Sequence, residues 1–251
     1  MNNTFFSFLL TLLAGLSTLL GYFIIYIKKK QHNKIIVSSL SFASGVMACT
    51  SITDLIPESI NLLKNNLSLL STITITFIGL IIGIILSMVI NYYVPDEPKI
   101  SNNKSLFRVG LLSMIAIILH NIPEGIATFM ASNKSIKLGI TLATSIAMHN
   151  IPEGISISVP IYYSTNDKKK AFLYTLVSAL SEPFGALLAF IFLRNIVNDI
   201  ILGIIFSLIA GIMLEISFRV LLPSTKKYND IYRVVIYFII GILFMLLKFL
   251  V

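Results

Sequence analysis

The sequence predicts an all-α integral membrane protein of eight transmembrane helices with both termini outside, on three observations. Of its 251 residues, 56% are hydrophobic and only 12% charged, more apolar matter than the core of a soluble domain needs. The apolar residues fall into eight runs near 4–27, 35–59, 70–94, 107–131, 138–163, 170–194, 199–222 and 232–250. Each approaches the ~20 residues that cross about 30 Å of hydrocarbon. Basic residues also crowd alternate connections: thirteen follow runs one, three, five and seven, against five on the other side, which sets orientation.

In chain order, the first run is a retained helix. It lacks a basic stretch ahead of it and a small-residue cleavage site, and its lysines come after it. The connecting pieces are short, the longest polar one being PDEPKISNNKS between runs three and four. The thirteen basic residues are Lys28, Lys29, Lys30, Lys34, Lys99, Lys104, Arg108, Lys168, Lys169, Lys170, Lys226, Lys227 and Arg233; the five are Lys64, Lys134, Lys137, Arg194 and Lys248. Arg219 lies inside run seven. With no room for a soluble domain, residues 1–251 read as one membrane domain placed, multi-pass, in the cell membrane.

The formal charge of +8 follows from this topology and from anionic lipid at the inner face. No basic residues interleave with aromatics along a soluble face, so nucleic acid is not an expected partner. Cys49, the single cysteine, excludes an intrachain disulfide and a thiolate metal cluster and reads as a small buried hydrophobe. The glycine-lysine pattern of a phosphate-binding loop is missing. Gly79 and Gly83 have the spacing of a close helix contact, which serves either internal packing or a homodimer.

The chemistry lies in runs four and five. HNIPEG occurs at 120–125 and again at 149–154. At about 100° per residue, the His and Glu of each copy lie ~40° apart and the Asn about 60° from the Glu, so all three share a face. The proline cannot donate to the carbonyl four residues earlier, leaving Leu119 and Met148 with free carbonyls at that depth, and the glycine admits a neighbouring helix. Run six adds Glu182 in SALSEPFGALL, twelve residues past Lys170 and followed by proline. Glu124, Glu153 and Glu182 thus converge at mid-membrane, where each costs on the order of 3 kcal/mol unless paired, protonated or bound to a cation.

One reading is structural, with His149 paired to Glu124 and His120 to Glu153. Two copies plus Glu182, without an Arg or Lys beside them, ask instead for a cation. Imidazole, amide and carboxylate donors suit borderline divalent ions, and the absence of sulfur disfavours copper(I), leaving zinc, iron(II), manganese, cobalt and cadmium. Two adjacent sites bridged by Glu124 and Glu153 are stoichiometrically available.

HNIPEGIATF, HNIPEGISIS and SALSEPFGALLA closely resemble the ZIP family of divalent-metal transporters, in its bacterial branch, over essentially the whole chain. The resemblance implies three, two and three helices around a binuclear centre and uptake of zinc, iron(II) or related ions into the cytoplasm. His120, Glu124, His149 and Glu153 would form one site and Asn121, Glu124, Asn150, Glu153 and Glu182 the other. No cofactor and no enzymatic activity are implied. GVMACTSITDLIP (45–57) and GIMLEISFRVLLP (211–223) share Gly, Met, Ser, Leu and Pro at matching offsets, which suggests two three-helix repeats. The family's corresponding helices line the metal route, making Met47, Asp54 and Glu58 pathway candidates.

Two departures stand out. Arg219 and Val220 replace the acidic residues common before the LLP of run seven, and Glu215 with Arg219 has the spacing of an i,i+4 pair. The connection between runs three and four lacks histidines, and His32 reads as solvated. The rival readings are an intramembrane metal hydrolase, for which HExxH is absent, and a proton-coupled carrier of an organic solute.

Overall fold

A computed structural model describes residues 3–27, 32–94, 104–193 and 198–250. Lys28, Lys29, Lys30, Lys99 and Arg194 of the charge pattern, with most of the PDEPKISNNKS connection, lie outside them.

Eight helical rods fill the described residues: α1 (Asn3–Tyr26), α2 (His32–Lys64), α3 (Leu69–Tyr93), α4 (Lys104–Lys134), α5 (Ile136–Thr165), α6 (Lys168–Phe192), α7 (Asp199–Tyr228) and α8 (Ile231–Leu246, extended by the 3-10 turn Leu247–Leu250). Six of them, α1 to α4, α6 and α7, are long and apolar enough to cross a membrane. The helical part of α8 has only 16 residues. At 30 residues α5 is long enough, but its hexapeptide, serines and threonines keep it out of the apolar set. Its position accounts for part of this: every residue from Pro152 to Ile161 is buried, so the polar groups of that stretch are covered by neighbouring helices.

Connections are tight because their residues end and start helices. Asn166 closes α5 and Asn229 closes α7 in the left-handed region, at φ 54° and 52°, a conformation asparagine tolerates. Asp167 then accepts from the Lys170 N–H at 3.0 Å, Asn198 from Ile201 at 2.9 Å and Asp230 from Arg233 at 3.2 Å, capping α6, α7 and α8. Only Ser135 separates α4 from α5.

The rods form two bundles. In one, α1 packs on α5 and α4 on α6, while α4 meets α5 and α1 meets α6. In the other, α2 packs on α8, α3 on α7, and the C-terminal half of α2 on α7. Contacts of α2 with α5, and sparser ones of α7 with α4, join them. Exchanging α1 with α6, α2 with α7, α3 with α8 and α4 with α5 maps this pairing onto itself, the relation that the 45–57 and 211–223 repeat suggests. The repeat reaches the backbone: a π-helical turn occupies Ser51–Leu55 in α2 and Ile216–Leu221 in α7, each just before the matching proline. Ser44 and Ser217 cross-link these helices through their hydroxyls at 2.7 Å.

Glycines set the helix spacing within each bundle. A Cβ on Gly154 would strike the Thr18 carbonyl and one on Gly125 the Glu182 carbonyl, so the glycine of each hexapeptide is where α1 meets α5 and α6 meets α4. Gly79 and Gly83 face Ser207 and Leu208 of α7, so their spacing serves packing inside the chain.

Candidate metal centre

The first bundle gathers the polar residues of both hexapeptides. α4 carries His120, Asn121 and Glu124, α5 carries His149, Asn150 and Glu153, and α6 carries Glu182; all seven are buried, none exposed beyond 6%. His120, Glu124 and His149 each offer a ligand atom within 4.8 Å of the other two. Glu124 bridges the histidines, its Oε1 3.3 Å from His120 Nε2 and its Oε2 3.3 Å from His149 Nε2. Glu153 Oε1 lies 3.6 Å from the same His120 nitrogen. The crossed His–Glu pairs expected of a purely structural cluster are thus present in outline, but they do not satisfy the site.

Asn150 and Glu182 pair beside this cluster, and Asn121 lies one residue on from His120 in α4. Asn150 Nδ2 donates to the Ala14 carbonyl at 3.0 Å and to Glu182 Oε2 at 2.8 Å. Asn121 Nδ2 reaches the Ser178 carbonyl at 3.5 Å. Tethering each amide by its NH2 leaves both Oδ1 atoms buried without a partner, together with Glu182 Oε1, both oxygens of Glu153, and Nδ1 of both histidines. Such orphaned acceptors are costly unless something electropositive fills the gap. Glu124 and Glu153 have His120 and His149 as ion-pair partners. Carboxylate and amide oxygens with imidazole nitrogens at this spacing have the chemistry of a divalent-cation site.

A cavity of about 340 Å³ leads to this centre, lined by Glu124, Ala127, Ser145 and His149 on one side and by Thr53, Asp54, Glu58 and Asn61 of α2 on the other. Asp54 stands on the π-helical turn of α2, where the widened helix turns residues 53 and 54 toward α4 and α5.

The sequence profile of the family described as ZIP Zinc transporter matches residues 98–248. The chain belongs to the ZIP family. Zinc transporter ZupT of Clostridium perfringens is 42% identical over 92% of this chain and 90% of its own length. ZupT of Streptococcus mutans is 39% identical over 96% and 95%, and that of Oceanobacillus iheyensis 39% identical over 92% and 91%. As a member of this family the chain is a multi-pass membrane transporter and not an enzyme.

For this ZIP chain, contacts join His120, Glu124, His149 and Glu153 and join Asn150 to Glu182, while Asn121 reaches the Ser178 carbonyl, and the pathway candidates separate. Asp54 and Glu58 line the cavity, but Met47 does not: it is fully buried in the apolar core. Glu215 and Arg219 form no ion pair, contrary to their i,i+4 spacing. The π turn starting at Ile216 alters the helical phase between them, so buried Glu215 accepts from Ser87 Oγ at 2.6 Å while exposed Arg219 turns toward Met88. His32 is exposed as expected, yet its ring lies against Tyr163 of α5, tilted 50° with centroids 5.3 Å apart. Sequence reasoning missed α1 as a wall of the site, although the small residues of AGLSTLLG (14–21) carried the signal.

Proposed function

We propose that this chain carries divalent metal ions, zinc foremost, across the plasma membrane into the cytoplasm by exposing a mid-membrane site alternately to each side. The observation carrying this reading is the buried His120, Glu124 and His149 cluster beside orphaned Asn, Glu and His atoms. Zinc is the ion named for the relatives from C. perfringens and S. mutans; iron(II), manganese, cobalt and cadmium suit the same donors. We assign one site to His120, Glu124, His149 and Glu153, and an adjacent one to Asn121, Glu124, Asn150, Glu153 and Glu182, with Glu124 and Glu153 bridging two ions.

The whole chain acts as one transport domain of eight spans, arranged three, two and three in sequence with both termini outside; the exchange symmetry of the helix pairing supports this arrangement. The cavity lined by Asp54 and Glu58 is the outer approach, where carboxylates concentrate cations. The bundle of α1, α4, α5 and α6 moves as a body against the other, and lipid covers the apolar outer faces of α3 and α8.

The deciding experiment reconstitutes purified protein into liposomes holding a metal-sensitive dye and compares zinc, iron(II) and manganese influx for wild type, Glu124→Ala and Glu153→Ala. Influx abolished by both substitutions is expected. Alanine variants that move ions as well as wild type would overturn the assignment.

A further inference from the structure

Thr53 directs its hydroxyl unlike the other threonines of the long helices. Thr11, Thr144, Thr165 and Thr175 each donate to the carbonyl four residues earlier, at 2.7–2.8 Å, the usual bond of a helical threonine. The Thr53 hydroxyl instead donates at 3.0 Å to Oδ1 of Asp54, the next residue. The Cys49 thiol stands one turn before it, with Sγ 4.0 Å from the same hydroxyl oxygen.

Neighbouring residues of an ordinary α-helix point about 100° apart and do not face each other. Thr53 and Asp54 lie on the π turn Ser51–Leu55, and there both border the cavity of about 340 Å³ that leads to the metal centre. The π turn thus brings an acid to the cavity together with a donor that holds it. Glu58, the other acid on that wall, has no such support: it is exposed and makes no hydrogen bond or ion pair among the described residues. Across the cavity stand Glu124 and His149, the ligand candidates that an ion passing Asp54 meets next. A carboxylate that is already oriented loses less rotamer freedom when it meets an ion, which is why groups supporting metal ligands matter for affinity.

We propose that Thr53 is a positioning residue for transport: by holding Oδ1, it sets the Asp54 carboxylate across the cavity from Glu124 and His149, so that an entering divalent cation is captured there and passed on. The Cys49 thiol orients the hydroxyl from behind. This inference rests on the transport reading above and adds the residue that sets the affinity of the approach.

Zinc influx into liposomes, recorded over a range of zinc concentrations, tests it with wild type, Thr53→Val, Thr53→Ser and Asp54→Ala. Valine keeps the shape and removes the hydroxyl. It should raise the half-saturating zinc concentration about tenfold, the lower end of the loss found when a supporting group of a metal site is removed, and leave the maximal rate within about twofold. Serine returns the hydroxyl and should restore most of the wild-type affinity. Because Thr53 acts through Asp54, Thr53→Val should add no further loss to Asp54→Ala, the non-additivity expected of two groups in one contact. Cys49→Ala removes only a weak S–H donor and should shift the value by less than about twofold. Size-exclusion profiles and thermal melts report whether the variants fold; if Thr53→Val does not, Thr53→Ala, which also lacks the hydroxyl, should show the same rise. An unchanged or lowered half-saturating concentration without the hydroxyl, no recovery with serine, or an equal further loss on top of Asp54→Ala would each overturn the proposal, while wild-type influx abolished by Glu124→Ala would still uphold the transport reading. If wild type moves no zinc, that reading falls and this one with it.

Discussion

Asn150 ties two parts of the centre together. Its NH2 binds the Ala14 carbonyl of α1 and Glu182 of α6 while its Oδ1 stays open. Removing it takes away both an oxygen donor and the group that orients Glu182. Asn150→Ala should therefore lower zinc uptake by about 10–100-fold, the range found when a supporting group of a metal site is lost; Asn150→Asp, which restores an oxygen, should recover part of it. Liposome influx assays at matched protein density check both. Met47→Leu is expected to leave uptake nearly unchanged, because Met47 fills the apolar core away from the cavity and a swap of similar volume costs under about 1.5 kcal/mol.

Each helix contact is set by a few backbone features. Gly154 lets α5 touch the Thr18 carbonyl of α1, so Gly154→Val must push two helix backbones apart. The expected loss is about 1–3 kcal/mol of stability, seen as a lower melting temperature in detergent and as lost metal binding, since Asn150 hangs from the same contact. At the start of α8, hydrogen bonding to the Arg233 side chain, the main cause, holds the Asp230 carboxyl below its ordinary value of 3.8. A carboxyl depressed in the folded state stabilises above its unfolded value, and this contribution is lost as pH falls through the folded one. Amide exchange at the first turn of α8 should accordingly quicken below about pH 4, and Asp230→Asn should shrink that acid response.

If the two bundles move against each other, joining them should stop transport. The rings of His32 of α2 and Tyr163 of α5 meet at a tilt with centroids 5.3 Å apart, one residue from each bundle. With Cys49→Ala as background, His32→Cys with Tyr163→Cys bridged by a short bismaleimide should cut zinc influx several-fold. A bridge between Ser44→Cys and Ser217→Cys, both within the second bundle, should leave it largely intact. Equal inhibition by both bridges would argue against relative movement.

Composition and run length determined by themselves that the chain is a helical membrane protein, because hydrocarbon leaves few ways to satisfy a backbone. The doubled HNIPEG with Glu182 singled out seven candidate ligands, since helical phase alone places the His, Asn and Glu of each copy on one face. Tertiary structure decided what local spacing cannot carry. Met47 and Asp54 lie two turns apart, yet only Asp54 reaches the cavity, because the π turn at Ser51–Leu55 shifts the helical phase between them. Glu215 and Arg219 looked like a pair, and packing against α3 gave Ser87 to one and Met88 to the other. The role of α1 was hidden because it contributes a backbone carbonyl, Ala14, and a stripe of small residues. A carbonyl is the same in every residue, so only the fold determines which one faces the site.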